Sequence, residues 1–101
     1  MSEVAFAGAV RQAEMVRAGD ITPSELVELY LERIDRIDPD LNSYRVVLAE
    51  RARADARAVE ARLAAGEGAQ MPLAGVPIAL KDTEDLEGEI TTWGTAGFDQ
   101  P

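Results

Sequence analysis

An α/β arrangement, with two or three helices ahead of the first strands of a sheet, follows from three features of this 101-residue chain. Residues 22–37 carry a sharp helix start and then an apolar stripe of helical period. Residues 50–65 are rich in Ala, Arg and Glu, all strong helix formers. Residues 76–80 read Val-Pro-Ile-Ala-Leu, an unbroken apolar run of the kind found in strands buried on both faces.

The elements can be placed in order. Residues 4–17 set Val4, Ala7, Val10, Ala13, Glu14 and Arg17 along one line, a weakly amphipathic helix expected to stop at Gly19. Thr22-Pro23-Ser24-Glu25 is a capping box with proline at the first helical position. Leu26, Tyr30, Ile34 and Ile37 then form one stripe, broadened by Val27 and Leu31, while Glu28, Glu32, Arg33, Asp35 and Arg36 make the wet side. Pro39 should end this helix near Ile37 or Asp38. An Asn42-Ser43 turn and the β-favouring Tyr44, Val46 and Val47 predict an extended stretch over residues 41–48. The third helix has a shallow apolar line of Ala52, Ala56, Val59 and Leu63, ends at Gly66-Glu67-Gly68, and reads as a solvated, salt-bridged covering helix. After a punctuated loop over residues 71–77 comes the predicted strand; Pro77 inside it and Gly75 ahead of it argue against helix. Lys81-Asp82 ends the run, Leu86-Glu87-Gly88 offers a turn, and residues 91–97 form a glycine-punctuated loop.

Composition narrows the function. Hydrophobic residues make up 47%, enough for a core, but only 5% are aromatic and many of the rest are alanine, so the core should be thin. The net charge of −9 argues against nucleic-acid backbones and anionic membranes as partners. Cysteine and histidine are absent from the sequence, which removes disulfides, thiolate nucleophiles, Cys-based zinc sites and a Ser-His-Asp triad within it. Any proton transfer by this chain falls to Lys, Tyr or a carboxylate. The first residues show neither a basic leader nor a sustained apolar run, so a cytoplasmic location without a membrane span is expected. There is no internal repeat of solenoid type.

Lys81 is the candidate for chemistry. A parallel strand delivers its last residue to the carboxyl edge of a sheet, where active sites of open α/β folds collect. A lysine desolvated there loses some of its preference for the charged form and becomes available as a base. The plain alternative is a strand exit where a charge marks the start of solvent.

The order of residues around Lys81 resembles the amidase-signature family. Gly75, Val76, Pro77, the apolar residues 78–80, Lys81 and Asp82, then Gly88, Thr91, Thr92, Gly94 and Thr95 follow that family's pattern into its catalytic core. Residues 22–42 resemble its N-terminal helix, followed by proline and an Asn-containing turn. The resemblance thus covers nearly the whole chain. It implies an α/β sandwich built on a mixed sheet, with residues 1–101 as the N-terminal part of a single amidase domain ending before the glycine/serine-rich signature. It also implies that Lys81 is the lysine of a Ser–cisSer–Lys triad hydrolysing C–N amide bonds, with Asp82, Thr83, Thr92, Trp93, Gly94 and Thr95 as its neighbourhood. Ser2, Ser24 and Ser43 are the serines of this sequence, and none lies in a glycine/serine-rich loop, so the chain alone is expected to be inactive.

The implied substrate is a small-molecule amide, and no cofactor or metal is called for. The apolar edge at residues 76–80 invites pairing with a second copy, hence a homodimer. Thr83 and Glu84 stand where asparagine and an apolar residue are usual, Glu87, Glu89 and Ile90 replace a small residue and proline, and Trp93 replaces a small residue. These departures point to a general amidase rather than to part of a tRNA-dependent amidotransferase. Trp93 reads either as loop packing or as a wall of the acyl pocket. A non-catalytic acidic helical interaction module and an amidotransferase subunit of a tRNA-dependent complex are the remaining alternatives.

Overall fold

The computed structural model describes residues 2–97, and these contain four α-helices and one 3₁₀ turn. The helices are α1 (Ser2–Ala5), α2 (Ala9–Ala18), α3 (Pro23–Leu41) and α4 (Ala49–Ala64); Gly68–Gln70 forms the 3₁₀ turn. No strand occurs among the described residues, which overturns the expected α/β sandwich and its mixed sheet. The physical reason lies in what each element needs. A helix pairs its backbone within itself, whereas a strand pairs only with another strand. Residues 43–48 and 76–81 remain irregular and form no ladder with each other.

The first expected helix is two. Gly8 takes φ 89° and ψ 160°, an extended positive-φ conformation that glycine adopts without steric cost, and it separates α1 from α2. The break resets the helical phase. The buried face of α2 is therefore Gln12, Ala13 and Val16, and Val10 is 65% exposed rather than part of the expected line. Gly19 ends α2 as expected, in the left-handed conformation at φ 79°. Gln12 is buried because its polar end is satisfied. Its Nε2 donates to the Val4 carbonyl (2.9 Å) and to the Tyr30 hydroxyl (2.7 Å), and Tyr30 in turn donates to the Ala5 carbonyl (2.8 Å). This network ties α1 to α2 and α3.

The start of α3 is as the sequence predicts. The Glu25 N–H donates to Thr22 Oγ1 and the Thr22 N–H donates to Glu25 Oε1, both at 3.0 Å, with Pro23 at the first helical position. Glu60 from α4 adds an acceptor: the Ser24 N–H donates to its Oε1 at 2.9 Å. A carboxylate at a helix N-terminus satisfies free N–H groups and complements the dipole. The other end runs past the expected stop, through Pro39 to Leu41. Pro39 lies in the last turn, and Asp38 organises the exit. Its main-chain carbonyl accepts from the Asn42 N–H (2.6 Å), and its carboxylate accepts from the N–H groups of Ser43 (2.7 Å) and Tyr44 (3.2 Å). Asn42 closes the helix in the left-handed conformation.

The core is small. Val16, Ile21 and Leu26 are buried together, flanked by Val4, Met15, Leu29, Tyr30 and Leu63, and Leu26 is wholly enclosed at 0% exposure. Across the α3–α4 face, Arg53 pairs with Glu28 (2.5 Å) and with Glu50 on its own helix (2.5 Å). The hydrogen bond from Arg53 holds the Glu28 carboxyl below the usual carboxylate range. The solvated, salt-bridged character expected of α4 is what is seen. The chain exposes 7091 Å², against roughly 5,600 Å² for a compact folded monomer of its mass. Residues expected to form strands contribute to that surplus: Val46, Val47, Ile78 and Leu80 are all exposed. No helix of the described residues is long and apolar enough to cross a membrane.

Candidate active site

Residues 71–97 reach the helices through Arg51 of α4, which donates to the Glu87 carbonyl at 3.3 Å, and at two places nearer the start of the segment. The Arg17 guanidinium donates to the Pro72 carbonyl at 2.8 Å. Gly75 then presses its backbone onto α2 and the start of α3. A Cβ there would lie 2.9 Å from Pro23 Cγ and 3.2 Å from both Val16 methyls, and φ is 88°. Space and conformation therefore both demand glycine. This contact fixes where the run toward Lys81 leaves the helices.

That run borders an open cleft of about 850 Å³. One wall is the apolar stripe of α3, with Val27, Tyr30, Leu31 and Ile34; Ala52 and Asp55 of α4 and residues 43–48 add a second; residues 77–82 with Leu86 and Ile90 close the third. Lys81 lies on the third wall and is exposed, as are Ile78 (82%) and Leu80. The expectation that Lys81 ends a buried strand, with its side chain largely out of bulk water, is corrected: burial of residues 76–81 needs backbone and side-chain neighbours that the described residues do not supply.

Asp82 is the centre of order here. Its Oδ1 accepts from the Thr92 N–H (3.0 Å), and its Oδ2 accepts from the Thr92 hydroxyl and from Arg45 Nε (3.1 Å). Its main-chain carbonyl accepts from the Trp93 N–H at 3.0 Å. The second arm of Arg45 donates to the Ile90 carbonyl at 2.6 Å. The Thr92 hydroxyl, followed by its N–H and the charge of Arg45, holds the Asp82 carboxyl below the usual carboxylate range. Thr92 is buried (9% exposed) and organises the residues after it: its hydroxyl oxygen accepts from the Gly94 N–H (3.2 Å), and its carbonyl from the N–H (3.0 Å) and hydroxyl (3.1 Å) of Thr95.

This knot bends the chain through two consecutive left-handed residues, Trp93 at φ 55° and Gly94 at φ 78°. For a bulky side chain that conformation costs on the order of 1–3 kcal/mol and persists where the surroundings over-determine it. Trp93 is 62% exposed and is not part of the cleft wall.

Of the sequence-predicted site, Asp82, Thr92, Trp93, Gly94 and Thr95 are brought together. Lys81 adjoins them through the chain, its carbonyl accepting from the Glu84 N–H at 2.9 Å. Thr83 is half-buried and lies outside the network. Arg45 is the residue sequence reasoning missed. Its signal was a single cation between Tyr44 and the paired valines of a stretch read as strand. No group of three or more His, Cys, Asp or Glu side chains that could hold a metal occurs among the described residues.

Comparison with known proteins bears on this arrangement. The family model described as Amidase matches residues 25–100. The chain is 53% identical over 96 residues to a Mycobacterium tuberculosis protein named "Putative amidase AmiB2", covering 95% of this chain and 20% of that protein. It is 49% identical over 81 residues to "Putative amidase AmiA2" of the same species, covering 80% of this chain and 16% of the relative. It is 43% identical over 95 residues to one of the subunits of the glutamyl-tRNA(Gln) amidotransferase from Acidothermus cellulolyticus, covering 94% of this chain and 19% of that relative. The chain therefore spans about a fifth of the length of these curated relatives. No solved structure matches it.

Proposed function

Since the chain belongs to the amidase family, we propose that it supplies Lys81 as the general base of a cytoplasmic amidohydrolase that cleaves the C–N bond of a small-molecule amide. One observation carries this reading. The ordered residues Gly75, Lys81, Asp82, Thr92, Gly94 and Thr95 lie inside the family match, and in space Asp82 joins the later ones into one knot beside Lys81. The chemistry that a lysine offers there is proton transfer. Its neutral amine takes a proton from a bridging serine held by a cis peptide bond. That serine relays a proton from the nucleophilic serine, which attacks the amide carbonyl and forms an acyl-enzyme. Neither serine is assigned to Ser2, Ser24 or Ser43, so residues 1–101 act as the lysine-bearing part of a larger catalytic unit.

The test is substitution in the full-length enzyme that carries this segment. Lys81→Ala should lower amide turnover by about 10²–10⁴-fold or more while the helical circular dichroism stays intact. Lys81→Arg should not restore it, because a guanidinium keeps its proton at any working pH. Turnover retained by Lys81→Ala, or restored by Lys81→Arg, would contradict the role of base.

A second reading is favoured by the 43% identity to the amidotransferase relative: the same chemistry releasing ammonia within a tRNA-dependent complex. Thr83, in place of the asparagine usual after the Lys-Asp pair, and the higher identity to AmiB2 favour the amidase. Ammonia transfer to a glutamyl-tRNA that depends on a partner protein would reverse that choice.

A further inference from the structure

We propose that Asp82 is a positioning residue for Lys81, clamping residues 90–95 to Arg45 and Thr92 so that the backbone carrying the lysine is fixed at the rim of the cleft. The inference rests on the reading of Lys81 as the base. No ion pair holds the Lys81 ammonium among the described residues, and the residues before it, 76–80, pair with no other segment. Beyond the bond of its own carbonyl to the Glu84 N–H, the contacts nearest the lysine are those of the residue that follows it.

Asp82 is tied on every side. The side chain takes two donors from Thr92 and one from Arg45, and the main-chain carbonyl takes the Trp93 N–H. Arg45 also grips the Ile90 carbonyl, so a single guanidinium joins both arms of the loop, residue 82 on one side and residue 90 on the other. The anchor for Arg45 is the segment that follows α3, whose exit Asp38 organises. The clamp thus connects Lys81 to the helical core by a path of charge-assisted hydrogen bonds, the stronger kind.

It has a second consequence. A carboxylate adjacent in sequence to a lysine is a ready partner for its ammonium and would favour the charged form. Thr92 and Arg45 occupy three of its roughly four lone-pair sites, which leaves Asp82 less free for that pairing. The left-handed turn at Trp93 and Gly94 is the cost of bringing the Thr92 N–H and hydroxyl onto the carboxylate together.

The experiment compares Asp82→Asn, Thr92→Val and Thr92→Ser with Lys81→Ala in the full-length enzyme. Thr92→Val keeps the shape and removes the hydroxyl; Thr92→Ser returns it. The expected result is a fall in kcat of about 10–100-fold for Asp82→Asn and Thr92→Val, with KM within about twofold, and recovery of most of the loss in Thr92→Ser; misplacement by about 1 Å is enough for losses of that order. On the 101-residue chain, Trp93 is the sole tryptophan, and its emission and iodide quenching should change in Thr92→Val and return in Thr92→Ser. The inference is overturned if Lys81→Ala abolishes turnover while Asp82→Asn and Thr92→Val both keep kcat within about twofold, or if Thr92→Ser is no better than Thr92→Val. Turnover retained by Lys81→Ala would overturn the reading of Lys81 as base, and this inference with it. Unfolding of Thr92→Val with normal activity in Thr92→Ser would be resolved by Asp82→Asn, whose kcat alone then decides.

Discussion

Residues 9–64 and residues 71–97 are held together in different ways. The first region satisfies its backbone inside three helices and buries a compact apolar cluster around Leu26. The second has no regular element beyond turns and is held by polar contacts: Arg17 to Pro72, Arg45 and Thr92 to Asp82, Arg51 to the Glu87 carbonyl. Apolar burial is non-directional and additive, so the helical region tolerates small errors in placement. Directional hydrogen bonds on a single carboxylate tolerate few. The region that carries the candidate chemistry is therefore the one whose geometry depends on individual residues, and the region that lacks it supplies the fixed base.

Mutations should separate the two regions. The largest effect on stability is expected from Leu26→Ala, which empties the one fully enclosed large side chain among the described residues and should cost about 2–5 kcal/mol; chemical denaturation followed by circular dichroism measures it. Gly75→Ala strikes the join between the regions. A methyl 2.9 Å from Pro23 Cγ and a forced left-handed alanine should cost about 1–3 kcal/mol and loosen residues 76–82 before the helices. If the helices melted first, the dependence of the second region on the first would be reversed. Thr22→Ala removes one half of a capping box and should cost about 0.5–2 kcal/mol, read in the same denaturation experiment. An unchanged midpoint would mean that Glu60, which reaches the Ser24 N–H, caps α3 sufficiently alone.

The sequence was legible where structure is local. The capping box at Thr22, the stripe from Leu26 to Ile37, the glycine stop at Gly19 and the solvated α4 all depend on residues within a turn or two of one another. Two local readings failed for identifiable reasons. Gly8 allowed a break that shifted the face of α2, and α3 runs past Pro39 to an exit where the Asp38 carbonyl accepts from the Asn42 N–H and its carboxylate from the N–H groups of Ser43 and Tyr44. The sheet was not legible because an apolar run states only that burial would be favourable; it does not supply the partners. In the candidate site, the order of residues from Gly75 to Thr95 could be read directly. The clamp could not, because Arg45 lies 37 positions from Asp82 and nothing in its own neighbourhood signals the pairing.

Hydrogen exchange on the monomeric 101-residue chain tests the contrast between the regions most directly. The amides of α3 around Leu26 and Val27 should exchange slowest. Those of Thr92 and Trp93, which donate to Asp82, should be intermediate. Those of Ile78, Ala79 and Leu80 should exchange near the rate of an unstructured peptide. Strong protection across residues 76–81 in a verified monomer, equal to that of α3, would contradict the division into a packed helical base and a clamped, irregular site.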